Sequence, residues 1–147
     1  MRIAFGCDHA GFQLKQELIN TLNYEYEDFG TYDEVSVDYT DFGIKVAKAV
    51  AEEGFDFGVL VCGTGIGMSI TANKVAGIRA ALCYNTLMAK LCREHNDANV
   101  LVLGAKVVSP EMAKEILKVF LETPFSNEER HIRRLNKIKN YELKIKN

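Results

Sequence analysis

The sequence predicts an α/β protein in which helices cover both faces of a five-stranded parallel sheet, with an extra helix at the C-terminus. Short β-rich runs alternate with helical stretches along the chain. This alternation is typical of parallel strands linked by right-handed helical crossovers. The strongest strand candidate, residues 58–62 (GVLVC), is apolar throughout, as expected when both faces of a sheet are covered. The predicted fold is therefore a doubly wound, three-layer α/β/α sheet.

The predicted elements follow one another closely. The strands are the β-rich runs at residues 2–7, near 26–29, 58–62, 80–83 and 100–103. The helices are residues 11–23, 44–53, about 67–75, 86–95 and a segment that begins at Ser109. Ser109 followed by Pro110 is a favoured helix start, and Gly54 is a favoured residue just after a helix end. This order of elements makes the predicted fold Rossmann-like.

The C-terminal segment, residues 124–147, differs from the rest. Pro124 interrupts the chain, and residues 126–129 have the S-x-x-E form of a helix capping box. A basic helix should follow and, with no further strand to return to, is expected to pack on a partner subunit. Arg130 and Arg134 lie on one face of it and could grip a phosphate together, or form a solvated basic face. The remaining chain is acidic, because this segment contains many of the basic residues. They are Arg130, Arg133, Arg134, Lys137, Lys139, Lys144 and Lys146.

Composition limits the classes of function. The formal net charge of −2 and the absence of a nuclease-like basic tract argue against nucleic-acid binding. No apolar run approaches the roughly 18–20 residues of a membrane helix, and Met1 leads directly into a strand without a secretory signal pattern. The four cysteines have neither CxxC nor zinc-site spacing. We therefore expect a cytoplasmic protein with reduced thiols and one domain over residues 1–147.

The ends of the predicted strands locate the expected binding site. Doubly wound sheets bind ligands at the carboxyl ends of their strands, near the point where strand order reverses. Asp8 and His9 follow the first strand, residues 62–67 the third, and Lys106 the fifth. His95 instead precedes the fifth strand, so a single chain should place it at the opposite edge of the sheet.

The C-G-T-G-I-G sequence at residues 62–67 is the strongest local signal. Three glycines in five residues allow a tight turn that aims several N–H groups at one point, and the helix behind adds the positive end of its dipole. The spacing matches neither the GxGxxG dinucleotide motif nor a Walker A loop. The residues alone indicate an anion site, most simply a phosphate cradle. The alternative is a tight turn without a ligand.

Cys62 ends the buried third strand directly before this turn. A helix N-terminus favours the thiolate form of a nearby cysteine, which would make Cys62 reactive. The alternative is that Cys62 is a small apolar strand residue, as Cys83 and Cys92 are expected to be.

Two further candidate groups contain histidine. Asp8 and His9 place an acid beside a base; they could also begin a metal site, although few further ligands are in view, or act as a structural cap. His95 could cap its helix. His131 is expected to face the solvent.

Four motifs together resemble the ribose-5-phosphate isomerase B family, which also contains the subunits of galactose-6-phosphate isomerase. They are IAFGCDHAGF, CGTGIGMSI-x-ANK with GIRAA, REHNDANVL and RH-x-x-R, in this order along the chain. The resemblance extends from Met1 to about Lys139. One such motif would be weak evidence, but four in register are highly specific.

The resemblance implies an aldose–ketose isomerase that interconverts ribose 5-phosphate and ribulose 5-phosphate, in the pentose phosphate pathway, without metal or organic cofactor. Cys62 matches the family's base, which moves a proton between C2 and C1 through an enediolate. The loop then acts as an oxyanion hole rather than a phosphate cradle. Its matching sugar-binding and enediolate-stabilising groups are Gly63, Thr64, Gly65, Ile66 and Gly67.

The resemblance also gives His95 and Asn96 a role. His95 matches the acid–base residue that opens the furanose ring, and Asn96 matches its hydrogen-bonding neighbour. Members of the family are dimers whose active sites are shared between subunits. A homodimer in which the partner supplies His95 is therefore implied, with a dimer of dimers as the larger alternative.

Phosphate binding is implied for the basic tail. Arg130 and Arg134 match the arginines that, with His9, hold the phosphate, and Asp8 matches a substrate contact. This chain departs from the family at Lys106, where arginine is common. Lysine keeps the charge but not the bidentate geometry, so substrate contact there is less secure.

Two alternatives stay open within and beyond the family. Allose 6-phosphate or galactose 6-phosphate could be the substrate, although the intact REHND segment with His95 favours the pentose enzyme. A non-catalytic sugar-phosphate-binding module could use the same fold, since fold alone does not define function.

Overall fold

The computed structural model describes residues 1–146, and Asn147, the last residue of the predicted extension, lies outside the described residues. The elements are β1 (Arg2–Cys7), α1 (Phe12–Asn20), β2 (Glu25–Asp28), α2 (Tyr39–Glu52), β3 (Phe57–Cys62), α3 (Ile66–Ala72), β4 (Ala80–Leu82), α4 (Thr86–Asn96), β5 (Val100–Gly104), α5 (Pro110–Glu122) and α6 (Glu129–Lys146). Every predicted strand is present. The predicted helices are present too, with shifted ends.

The five strands form one parallel sheet in the order β2-β1-β3-β5-β4. The chain runs from β1 to β2 at one edge and then to β3 on the other side of β1, so strand order reverses between β1 and β3. It continues to β4 at the far edge and returns to β5 between β3 and β4. Cys7 pairs with Val61, and Cys62 pairs with Gly104. The carboxyl ends of β1, β3 and β5 therefore lie side by side at the switch point of a doubly wound sheet.

Two apolar layers enclose the sheet and confirm the predicted three-layer architecture. On one face, α1, α4 and α5 cover strand residues that include Ile3, Phe5, Val59, Val61, Leu101 and Leu103. On the other face, α2 and α3 cover Ala4, Leu60, Cys62, Val100 and Val102. Successive strand residues point to opposite faces, and both faces are apolar, which is why the central strands read as continuous hydrophobic runs. No helix within residues 1–146 combines the length and the apolar surface needed to cross a membrane.

The observed ends of two helices, α2 and α3, differ from the predicted ones, and polar side chains outside the apolar pattern lie at both. α2 begins at Tyr39 rather than residue 44, with Asp41 in its first turn, where a negative charge is favourable. α3 ends at Ala72 rather than near residue 75. Its C-cap Asn73 accepts a hydrogen bond from the Ala80 N–H (2.8 Å) and donates to the Ala80 carbonyl (3.0 Å). Asn73 thereby ties the end of α3 to the start of β4.

The predicted capping box at residues 126–129 is wrong. α6 begins at Glu129, so Ser126 lies three residues before the helix. The Ser126 hydroxyl instead donates to the Glu94 carbonyl (2.7 Å) near the end of α4. Ser126 therefore attaches the connection between α5 and α6 to the body of the protein.

Candidate active site

An open pocket lies at the carboxyl ends of β1, β3 and β5, where the sequence predicted the site. Its volume is about 500 Å³. The lining residues are Asp8, His9, Ala10, Tyr39, Cys62, Gly63, Thr64, Ile66, Gly67, Ile70 and Lys106. Tyr39 is a lining residue that sequence reasoning missed. Its ring lies so close to Gly67 that a Cβ on that glycine would be 2.6 Å from ring carbons.

Glycines allow the loop after β3 to turn tightly against β5. Gly65 is the N-cap of α3 and has φ +83°, a conformation that L side chains rarely adopt. A Cβ on Gly104 would lie 2.5 Å from the Thr64 carbonyl oxygen, so the loop and the end of β5 are in direct contact. Hydrogen bonds join them: the Ala105 N–H donates to the Cys62 carbonyl (2.8 Å) and the Lys106 N–H to the Gly63 carbonyl (2.9 Å).

Cys62 ends β3 directly before this loop. Its side chain is buried, and its Sγ accepts the Gly65 N–H at 3.2 Å. Thr64 Oγ1 accepts the Ile66 N–H at 3.3 Å, which orients the hydroxyl within the loop. Within the described chain, the N–H groups of Thr64 and Gly67 have no hydrogen-bond acceptor. The loop thus has free N–H groups that can donate to an anion, next to a sulfur atom that already accepts one N–H hydrogen bond.

Asp8 and His9 are held at the pocket wall by backbone groups. The buried Asp8 carboxylate accepts the Gly11 N–H at 3.0 Å and so caps the turn into α1, which is the structural role that the sequence left open. His9 Nδ1 accepts the Val37 N–H at 3.2 Å. Among residues 1–146, no three His, Cys, Asp or Glu side chains converge as metal ligands would.

The other cysteines lie outside the pocket in the apolar core. Burial raises the pKa of Cys7 to about 11, although nearby Lys15 opposes the effect. Cys83 and Cys92 are buried with their sulfur atoms 3.9 Å apart, and the hydrogen bond to Cys92, together with burial, raises the pKa of Cys83. The same hydrogen bond lowers the pKa of Cys92. A raised pKa leaves Cys7 and Cys83 as unreactive thiols at neutral pH. Cys62 is the cysteine that lines the pocket.

A second cluster of predicted site residues lies at the opposite edge of the sheet. Asn96 ends α4, and its carbonyl accepts a hydrogen bond from Arg79, which precedes β4. The five residues of β5 then separate this edge from the pocket by roughly 16 Å at about 3.3 Å per residue. This confirms the expected position of His95, next to Asn96. Arg130 and Arg134 lie on α6 at the same edge and are exposed.

His131 was expected to face the solvent, and this prediction is wrong. Its side chain is only 4% exposed, and its ring stacks on that of His95 with centroids 4.3 Å apart and planes inclined by 17°. Its Nε2 finds no hydrogen-bond partner among the described residues. Burial lowers the pKa of His131, and the neighbouring His95 and Arg130 lower it further. Because the contact joins α4 to α6, no periodicity within either helix could have predicted it.

The fold and the pocket together define a doubly wound α/β protein with a candidate anion-binding loop at its switch point. Residues 3–138 match the family model described as Ribose/Galactose Isomerase. Escherichia coli ribose-5-phosphate isomerase B is 46% identical over 140 residues, which cover 93% of each chain. The solved structure of Clostridium thermocellum ribose-5-phosphate isomerase B matches with a TM-score of 0.96 and 49% identity over 99% of each chain. That of Mycoplasma genitalium ribose-5-phosphate isomerase B, with bound ribulose-5-phosphate, has a TM-score of 0.89 and 38% identity over 96% of this chain and 95% of that one.

The chain therefore belongs to the Ribose/Galactose Isomerase family, as the four motifs indicated. It is an enzyme, an aldose–ketose isomerase.

Proposed function

We propose that the substrate is a sugar phosphate and that the enzyme interconverts ribose 5-phosphate and ribulose 5-phosphate, with Cys62 as the base. The observation that carries this proposal is the position of the Cys62 thiol. It accepts the Gly65 N–H inside a loop that has further N–H donors to offer. The relatives in Escherichia coli and Mycoplasma genitalium, which bear the name ribose-5-phosphate isomerase B, support the choice of substrate. In this role the enzyme would act in the cytoplasmic pentose phosphate pathway.

The proposed reaction is a proton transfer between neighbouring carbons. The Cys62 thiolate removes the C2 proton of the open-chain aldose, and the electron pair moves onto the C1 carbonyl oxygen to give an enediolate. Backbone N–H groups of Thr64 and Gly67 and the Thr64 hydroxyl stabilise the developing negative charge. The Cys62 thiol then returns the proton to C1, and a proton moves from the C2 oxygen to the C1 oxygen. No metal or organic cofactor takes part in these steps.

A complete site of this kind requires two copies of the chain. The pocket supplies Cys62 and the anion-binding loop, whereas His95 and Arg134 lie at the far edge of the same sheet. We propose a homodimer in which the partner copy brings its far edge to the pocket. Its His95 then opens the furanose ring, aided by Asn96. Its Arg130 and Arg134 hold the phosphate together with His9 and Lys106 of the pocket.

One assay tests the reaction and its substrate. Isomerase activity is measured with ribose 5-phosphate, allose 6-phosphate and galactose 6-phosphate in the presence of a chelator. We expect the highest kcat/KM with ribose 5-phosphate, and Cys62→Ala should lower it by roughly 10²–10⁴-fold, the usual contribution of a general base. Full activity of Cys62→Ala would contradict the mechanism. Sugar-phosphate binding without turnover in the wild-type protein would indicate a binding module.

Mixed dimers test whether the site is shared. Cys62→Ala and His95→Ala chains are each expected to be nearly inactive with ribose 5-phosphate. When both are co-expressed, half of the dimers contain one chain of each kind, and one of their two sites is intact. A shared site therefore regains about a quarter of wild-type activity, because a two-fold interface pairs each site with the partner's residues. Verified mixed dimers without any recovery would place the whole site in one chain.

A further inference from the structure

The connection between β2 and α2, residues 29–38, is anchored by a buried lysine. Lys15 on α1 is fully buried, and its Nζ lies 2.6 Å from Asp28 Oδ1 and 2.6 Å from the Thr31 carbonyl oxygen. Asp28 Oδ1 also accepts the Gly30 N–H at 2.9 Å. A buried ammonium group is costly unless it is paired and hydrogen-bonded, and here it is both. Lys15 therefore holds the start of this connection in one conformation.

The same connection is bonded to the end of β1, directly before the pocket residues Asp8 and His9. The Cys7 N–H donates to the Gly30 carbonyl (2.7 Å), and the Thr31 N–H donates to the Cys7 carbonyl (2.9 Å). The connection therefore has a fixed position relative to the backbone that carries His9.

Farther along, the connection contacts the His9 ring itself. The Val37 N–H donates to His9 Nδ1 at 3.2 Å. A backbone N–H can only donate, so Nδ1 must be the unprotonated acceptor, and the proton of the neutral ring must be on Nε2. In the described chain, Nε2 makes no hydrogen bond, and His9 lines the pocket. Nε2–H is thus the group that the ring offers to a ligand.

We propose that this connection, residues 29–38, acts as a clamp, in which the Val37 N–H fixes the tautomer and the rotation of the His9 ring so that Nε2–H donates to an anionic group of the substrate. Lys15 is the positioning residue that secures the clamp. This inference rests on the proposed function only for the identity of the anion, the phosphate of the sugar. The state of the His9 nitrogens does not depend on it.

Nitrogen NMR of the histidine side chains tests the clamp in the full-length wild-type protein, without any assay of turnover. His9→Gln identifies the His9 signals by their loss. At about pH 8.5, where an ordinary imidazole is neutral, we expect a pyridine-like shift for His9 Nδ1 and a pyrrole-like shift for Nε2. The opposite pattern, or averaged shifts that show an exchanging ring, would overturn the proposal.

Val37→Pro and Val37→Ala form a matched pair of variants, because proline removes the N–H while alanine keeps it. Val37→Pro should move the His9 shifts toward averaged values and weaken binding of inorganic phosphate by roughly fivefold, the size expected for one misaligned hydrogen bond. Val37→Ala should leave both the shifts and the phosphate Kd as in the wild type. If Val37→Pro fails to fold, replacing Val37 by its α-hydroxy acid removes the same N–H with a smaller steric change.

The double variant Lys15→Met/Asp28→Asn tests the anchor, since it removes both charges and leaves neither unpaired. We expect faster hydrogen exchange at the Val37 amide and a shift of the His9 signals in the same direction as in Val37→Pro. Unchanged His9 signals would show that Lys15 has no positioning role. A wild-type protein with the expected tautomer but no isomerase activity would instead refute the proposed function and leave the clamp intact.

Discussion

Gly65→Ala adds one methyl group at the tightest point of the pocket loop. Gly65 has φ +83°, and its N–H is the hydrogen-bond donor to Cys62 Sγ. A Cβ there would lie 2.4 Å from Leu82 Cδ1, 3.2 Å from the Leu103 carbonyl carbon and 3.3 Å from the Gly104 nitrogen. The leucine side chain can move, but the two backbone atoms belong to β5, an interior strand of the sheet. The loop must therefore shift away from β5.

Two effects set the size of the destabilisation. An alanine in the left-handed region costs about 1–2 kcal/mol, of which about 0.4–1 kcal/mol is offset because alanine restricts the unfolded chain. Overpacking against backbone adds about 1–3 kcal/mol. We expect Gly65→Ala to lower the free energy of unfolding by about 3 kcal/mol. The matched control is Gly54→Ala, where φ is +80° but no atom lies within 4 Å of the new Cβ. It should cost about 1 kcal/mol.

Urea denaturation of both variants at one protein concentration measures the difference. A gap of about 2 kcal/mol isolates the clash, because the backbone strain is common to both. Under native conditions Gly65→Ala should also lose most of its isomerase activity, since the shifted N–H no longer points at Cys62 Sγ, whereas Gly54→Ala should remain active. If Gly65→Ala costs no more than Gly54→Ala, the close packing of the loop on β5 does not stabilise the fold as argued.

Three further predictions concern the far edge of the sheet. Arg134→Ala should raise KM by roughly tenfold to a hundredfold, as for a lost charged hydrogen bond. Arg133→Ala, on another face of α6, should leave KM as in the wild type. Equal KM values for the two variants would place the phosphate elsewhere. His95→Ala should impair turnover of ribose 5-phosphate far more than that of erythrose 4-phosphate, whose phosphorylated O4 cannot close a furanose ring, and equal losses would make His95 merely structural. Folding lowers the pKa of His131 from its ordinary 6.5, so the imidazole is protonated more readily in the unfolded chain than in the folded one. The contribution of His131 to the free energy of unfolding should then be greatest above about pH 6.5 and should fall as the pH drops through the lowered pKa. The Tm of His131→Asn should therefore depend less on pH between about 7.5 and 5 than that of the wild type.

The sheet and the pocket could be predicted from sequence because their signals are local. β1 was predicted with the observed bounds, and β3 within one residue of them, since apolar runs of this length have few other solutions in an α/β chain. The loop after β3 carries its own glycines, so its turn and its donors could be read from six adjacent residues. Local backbone geometry and local composition decide both features.

Features that depend on contacts between distant segments could not be predicted. Lys15 on α1 is fully buried, and its ammonium group is hydrogen-bonded to Asp28 and to the Thr31 carbonyl. Both partners lie outside α1, so no pattern within α1 predicts these contacts. The sequence predicted a helix cap for Ser126, but its hydroxyl donates to the Glu94 carbonyl near the end of α4. Tyr39 lines the pocket because its ring packs on Gly67, which is also a contact between segments distant in sequence.

α6 has a fixed position relative to His95 in its own chain, and this bears on how a shared site could form. His131 stacks on His95 near the start of the helix, and the Glu142 carboxylate accepts the Gly77 N–H at 3.2 Å near its end. Arg134 lies between these two attachments. The far edge therefore presents His95 and Arg134 with a set spacing, so in the proposed homodimer one docking geometry would bring both to the partner's pocket. The proposed homodimer would thereby bring the exposed arginines of α6 to an anionic ligand in the partner's pocket.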